Sequence, residues 1–162
     1  MFKTLKHSFL IVFAIPFFLN IFLQPRANSS DRENIQSLTR SKKDQVVFDR
    51  ANQKFLNNNF KGAISDYNKV INNIPYDVVS YNNRCYAKYK LNRFNRALED
   101  CNKAISLNKN YAEAYDSRGD IYFALGNKES SCVDYKTAIE LNKKSRLQWV
   151  NSPEGYWCKI KK

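Results

Sequence analysis

The chain has 162 residues with only 4 glycines and 4 prolines, which fits one helical domain joined by short turns and argues against a loop-rich sheet protein. Its net charge is +12. The single histidine, His7, falls within the first segment, so the rest of the chain has no histidine for a catalytic triad, a general base or a metal site.

Residues 1–27 read as a signal peptide or an N-terminal membrane anchor. Lys3 and Lys6 form a basic start, and Phe9 to Leu23 is apolar except for Pro16 and Asn20. That run is short beside the roughly 20 residues of a spanning helix. Ala27 offers a cleavage point, whereas Pro25 is a poor residue two positions before it. Removing residues 1–27 takes away Lys3, Lys6 and Arg26 and no acid, lowering the charge from +12 to +9. Residues 28–43 are polar, mixed in charge and almost free of large apolar groups, as a flexible spacer would be.

From Asp44 a period of 34 residues sets in. Arg50, Arg84 and Arg118 are 34 apart, and Asp66, Asp100 and Asp134 follow them, each sixteen residues behind its arginine. That is the length of a helix–turn–helix repeat. Counting each unit from Asp44, Val78 and Ala112, position 8 is Ala51, Cys85 and Gly119, and position 20 is Ala63, Ala97 and Ser131. Position 12 is Phe55, Tyr89 and Phe123, and position 24 is Tyr67, Cys101 and Tyr135. Small groups facing large ones let two antiparallel helices approach closely. Each helix should run about fourteen residues, with breaks at Asn57–Asn59, Asn92–Arg93 and Gly126–Asn127.

These residues resemble the tetratricopeptide repeat. Tyr115, Arg118-Gly119 and Tyr122 match the first helix of its signature, Ala97 and Ala104 the second, and Ala63, Tyr67 and Pro75 recur in the first unit. The stretches DYNKVI, DCNKAISLN and DYKTAIELN are three copies of one helix. Arg at position 7 with Asp at position 23, and the closing stretch, also resemble small exported repeat proteins of cyanobacteria. The resemblance implies an all-α, right-handed superhelical stack of three hairpins (44–77, 78–111 and 112–145), closed by residues 146–162 as a cap and basic tail.

An arginine and a carboxylate recurring together predict a partly buried bidentate pair between helices. Cys85 and Cys101 sit on facing sides of one hairpin and are either a disulfide or small core residues. Cys132 lies in the last repeat helix and Cys158 beyond the repeats, so Cys132–Cys158 is the favoured pairing, fastening the tail to the end of the stack. Leu147, Trp149 and Val150 suit one helical turn lying on the third unit, after which Pro153 and Gly155 reverse the chain.

The cysteines lack the close spacing of a zinc site, and there is no glycine-rich phosphate loop. A non-catalytic module without metal or cofactor is therefore expected. In the family, repeat positions 2, 5, 9 and 12 face a concave groove that holds a peptide. Here they give Gln45, Phe48, Asn52 and Phe55; Val79, Asn82, Tyr86 and Tyr89; and Glu113, Asp116, Asp120 and Phe123. One end would be aromatic and rich in amides, the other acidic. That contrast predicts a protein or peptide partner carrying basic residues. The carboxylate clamp of some members is not expected: Asn52 and Asn83 occupy two of its places, but Phe48, Glu113 and Ser117 stand where bases are required. The alternative is a basic surface for anionic lipid headgroups or another polyanion, through the convex face and the Lys159–Lys162 tail. Export argues against nucleic acid, and membrane contact would run through residues 1–27 or that tail.

Overall fold

A computed structural model of the chain describes residues 40–141, 143–153 and 155–158. The signal or anchor segment, most of the spacer and the Lys159–Lys162 tail lie outside them. Among the described residues there is no strand. Helices α1 (Lys42–Leu56) and α2 (Phe60–Asn73) form the first hairpin, α3 (Val78–Lys90) and α4 (Phe94–Leu107) the second, and α5 (Ala112–Ala124) and α6 (Lys128–Glu140) the third. A short α7 (Lys144–Val150) and a 3-10 turn (Tyr156–Cys158) follow. None of the described helices is long and apolar enough to cross a membrane.

The hairpins stack through α2 against α3 and α4 against α5. Each turn is built alike. Asn58, Asn92 and Gly126, all at repeat position 15, adopt positive φ angles of 58°, 55° and 78°. Asparagine and glycine tolerate that left-handed conformation, which stops the first helix and aims the second back along it. Asn59 and Asn127 then cap α2 and α6 by accepting the backbone N–H of Gly62 and Ser130.

Position 8 meets position 24 by three different means. In the first hairpin Ala51 shares a core with the fully buried Tyr67. In the third, a Cβ added at Gly119 would lie 2.5 Å from the Tyr135 ring, so only glycine admits that ring. In the second, Cys85 and Cys101 are joined as a disulfide with Cα atoms 5.5 Å apart. A second disulfide joins Cys132 to Cys158.

All three recurring pairs are bidentate. Nε donates to Oδ2 at 2.7 Å for Arg50–Asp66 and at 2.8 Å for both Arg84–Asp100 and Arg118–Asp134, and Nη2 reaches Oδ1 in each. Arg84 and Arg118 also donate through Nη1 to Asn68 and Asn102 of the preceding hairpin, both at 2.7 Å. The arginine thus ties two helices of its own repeat and one of its neighbour.

Two boundaries differ from the sequence expectation. Helix α1 starts at Lys42, capped by Ser41, and Arg40 donates to Asp77 at 2.9 Å through Nη2, so residues 40–43 belong to the fold rather than to the spacer. The capping helix starts at Lys144, inside the 34-residue frame of the third unit. Val150 is fully buried beside Tyr135 and Cys158, Trp149 packs on that cluster, and Leu147 stays exposed. Helix α7 therefore turns its Val150 side to the stack, and Leu147 faces solvent.

Candidate functional site

The first helices of the three hairpins line one cavity of about 450 Å³. Helix α1 contributes Asn52, Phe55 and Leu56, α3 Asn82, Asn83 and Tyr86, and α5 Glu113, Asp116, Ser117 and Asp120. Tyr67 enters from α2, and Lys143 and Arg146 come from the C-terminal segment. The wall follows from periodicity: positions 5 and 9 fall on one helical face, so Asn52, Tyr86 and Asp120 at position 9 line the cavity from all three repeats, and Asn82 and Asp116 at position 5 from the second and third.

One end is a relay of amides. Tyr67 Oη donates to Asn52 Oδ1 at 2.6 Å, and Asn83 Nδ2 donates to the same oxygen at 3.2 Å. Asn82 Nδ2 reaches Asn83 Oδ1 only at 3.4 Å, and its own Oδ1 is buried without a donor. Burial pushes the Tyr67 phenol up to about 12, so the relay begins with a neutral hydroxyl. Next to the amides, five rings run in file. Phe60 lies 5.2 Å from Phe55, Phe55 5.8 Å from Tyr86, Tyr86 5.5 Å from Tyr89 and Tyr89 6.1 Å from Phe94, centroid to centroid. All five are half-buried, leaving ring surface available to a ligand.

The other end holds the acids, and they are not free. Arg146 donates through Nε to Asp116 Oδ1 and through Nη2 to Asp120 Oδ1, the latter at 2.7 Å. Tyr135 Oη donates to the same Asp120 oxygen at 2.9 Å. The Arg146 guanidinium lies 4.0 Å from the Tyr135 ring centroid and 5.1 Å from that of Trp149. Lys143 approaches Glu113 at 3.5 Å. Burial raises the pKa of the Asp120 carboxyl from its ordinary value, an effect that Arg146 opposes. The acidic end that the sequence leaves open is closed by cations of the C-terminal segment.

The cavity brings together Asn52, Phe55, Asn82, Tyr86, Glu113, Asp116 and Asp120 of the residues that the repeat positions predict. Phe48 lies elsewhere: it is buried, its ring centroid 6.0 Å from that of Tyr67, with the Arg40 guanidinium 3.5 Å from its own centroid. It belongs to the core cluster of the first hairpin, with Ala51, Ala63, Tyr67, Val70 and Ile74. Phe123 is stacked on Trp157 at 5.5 Å, and Tyr89 lies beside the cavity between Tyr86 and Phe94. Gln45 bonds to Asp49, and Val79 packs on the first core cluster. Sequence reasoning missed Leu56, Tyr67, Lys143 and Arg146 as lining, and took Asn83 and Ser117 only as places of the clamp that is not expected. Leu56 and Tyr67 recur in no groove position, and Arg146 reaches Asp116 across 30 residues without a second copy to betray the contact.

Comparison with known proteins places this geometry. Tetratricopeptide repeat models match residues 78–111 and 112–145. No curated protein sequence matches the chain significantly. Among solved structures, the first repeat domain of Spaghetti (RPAP3), bound to the HSP90 peptide SRMEEVD, is 32% identical, with a TM-score of 0.61 over 70% of this chain and 98% of that one. The first repeat domain of human RPAP3 is 33% identical, with a TM-score of 0.60 over 70% of this chain and 84% of that one. The TPR2B domain of yeast Sti1, in complex with an Hsp70 peptide, is 26% identical, with a TM-score of 0.65 over 73% of this chain and 97% of that one. With the 34-residue period, the three helical hairpins and the cavity along their first helices all in agreement, this chain belongs to the tetratricopeptide repeat family.

Proposed function

We propose that the chain is a non-catalytic module that takes an extended segment of a partner protein in its concave groove and acts as an assembly or scaffold factor in an exported compartment, periplasm, thylakoid lumen or extracellular space. Residues 1–27 would deliver it as a cleaved signal or hold it at a membrane. The observation that carries the reading is the cavity lined by α1, α3 and α5, in which ring surface, amides and acids lie side by side. Such a lining suits a peptide: rings take an apolar side chain, and Asn82 Oδ1, an acceptor without a donor, takes a backbone N–H. Two of the structures described above hold chaperone peptides, one of them the acidic-tailed SRMEEVD. Glu113, Asp116 and Asp120 oppose such a tail here, so charge complementarity favours a partner with Lys or Arg at this end. The resemblance to exported cyanobacterial repeat proteins supports the compartment.

Selecting binders from a random peptide library with the full chain tests the groove. Tyr86→Ala should weaken the selected peptides about tenfold without loss of helix content. Their affinity should change less than about threefold between 50 and 200 mM salt, since phosphate-type polyanion contacts weaken by orders of magnitude over that range. Binding indifferent to Tyr86, or collapsing with salt, would replace the groove with the basic surface as the binding face.

A further inference from the structure

The group that closes the acidic end belongs to a segment outside the repeats, and that segment has one covalent tie. Cys132 is partly exposed whereas Cys158 is buried, in contrast to Cys85 and Cys101, which are both fully buried. The accessible disulfide is thus the one that fastens the cap, and the inaccessible one lies inside the second hairpin. Beyond it, the cap is held by Val150, by Trp149 and Trp157 packing around Tyr135 and Phe123, and by the bonds of Arg146 to Asp116 and Asp120 with Lys143 beside Glu113.

At the acidic end Asp116, Asp120 and Glu113 offer acceptors only. Asn82, 6% exposed, lines the same cavity with an acceptor that no donor satisfies. The chemistry left wanting is that of a donor-only group, and Arg146 supplies one from within the chain.

We propose that Arg146 is an internal stand-in for a guanidinium or ammonium group of the partner, and that reductive opening of Cys132–Cys158 lets the cap withdraw it and frees the subsite for a basic segment. The inference rests on reading the groove as a peptide site. The reductant is a dithiol. One of its thiolates attacks Cys132 Sγ, on the partly exposed residue of the pair; the S–S bond breaks, and its electron pair leaves on Cys158 Sγ, which takes up a proton. The second thiolate of the dithiol then attacks its own sulfur in the mixed disulfide and releases Cys132, which is protonated in turn. Two electrons pass to the protein, and the dithiol becomes a disulfide. Freed of its covalent tie, a terminal segment with one short helix competes less well with a ligand that brings its own cation.

Carbodiimide coupling of glycine ethyl ester to carboxylates, read by mass spectrometry of the full chain, tests this without any ligand. Mild dithiothreitol, or Cys158→Ser, should raise the labelling rates of Asp116 and Asp120 about tenfold. Asp66, Asp100 and Asp134, locked in their arginine pairs, should stay slow and so report an intact stack. Arg146→Ala with both disulfides closed should open the same two carboxylates. A fluorescein-labelled hexa-arginine peptide should bind the reduced chain and Arg146→Ala about tenfold more tightly than the oxidised chain, and lose that gain in Asp116→Asn/Asp120→Asn. Unchanged labelling of Asp116 and Asp120 on reduction would overturn the gate. So would faster labelling of Asp66, Asp100 and Asp134, which makes the disulfide a clamp on the whole stack. Weaker peptide binding by Arg146→Ala would also overturn it, since Arg146 would then hold the ligand. Opening of the carboxylates without tighter peptide binding supports the gate and counts against the groove as a site for basic peptides.

Discussion

Arg84 and Arg118 each bond to an aspartate of their own hairpin and an asparagine of the one before. Among the described residues no hairpin precedes that of Arg50. Its side chain stays 48% exposed, and Lys54 and Lys69 share Asp66 with it. That difference predicts unequal costs for the same substitution. Asp100→Ala strands Arg84 and Lys88, whose side chains are each only 15% exposed, and should lower stability by about 3 kcal/mol in urea denaturation. Asp66→Ala should cost distinctly less, because water solvates the cations that it leaves. Equal costs would show that the pairs act locally, without regard to place in the stack. The arginine–aspartate spacing was plain in the sequence. Asn68 and Asn102 also recur at 34 residues, but an asparagine on a helix face has many uses, and only the contact reveals this one.

At the level of elements, the repeat helices followed from their pattern, whereas the cap depended on a tight fit. A Cβ at Gly155 would lie 2.1 Å from the carbonyl oxygen of Trp149, and backbone cannot yield as a flexible side chain can. Gly155→Ala should therefore loosen the cap at a cost of about 1–3 kcal/mol. Tryptophan emission should shift to the red, and trypsin should cut faster after Lys143, Lys144 or Arg146, with the helicity of the repeats retained. Emission and cleavage like those of the parent would mean that the reversal at 151–155 is not needed for docking. The sequence marked Leu147, Trp149, Val150 and Cys158 as capping residues because an apolar run beyond the last repeat has one obvious place to go, and all but Leu147 pack there. It gave no sign that Arg146, in the same helix, would turn the other way into the groove.

The whole stack carries its buried charge as paired carboxylates, which sets its response to acid. The hydrogen bond from Arg50, helped by Lys54 and Lys69, holds the Asp66 carboxyl far below the usual range, and those from Ser41 and Asn73 lower Asp44. A lowered carboxylate stabilises the fold above its unfolded pKa, about 4, and that contribution is lost as pH falls through the folded value. Asp120, raised by burial, works in the opposite sense and offsets part of the loss. The melting temperature should hold steady from pH 7 to 5 and fall below about pH 4. A melting curve unaltered down to pH 3 would contradict the pairing seen here.

What the sequence determined by itself was everything that repeats. Residues 34 apart meet equivalent surroundings in a stack, so the hairpins, their turns at Asn58, Asn92 and Gly126, the arginine pairs and the position-9 residues of the groove wall, Asn52, Tyr86 and Asp120, are written three times over. The Cys132–Cys158 tie and the capping by Trp149 and Val150 apart, tertiary structure alone decided what happens once. Arg146 reaches the groove, Arg40 covers Phe48 and Trp157 stacks on Phe123, each through a contact that no second copy repeats. A single long-range contact leaves no period in the chain, because its energy depends on where two distant segments happen to meet.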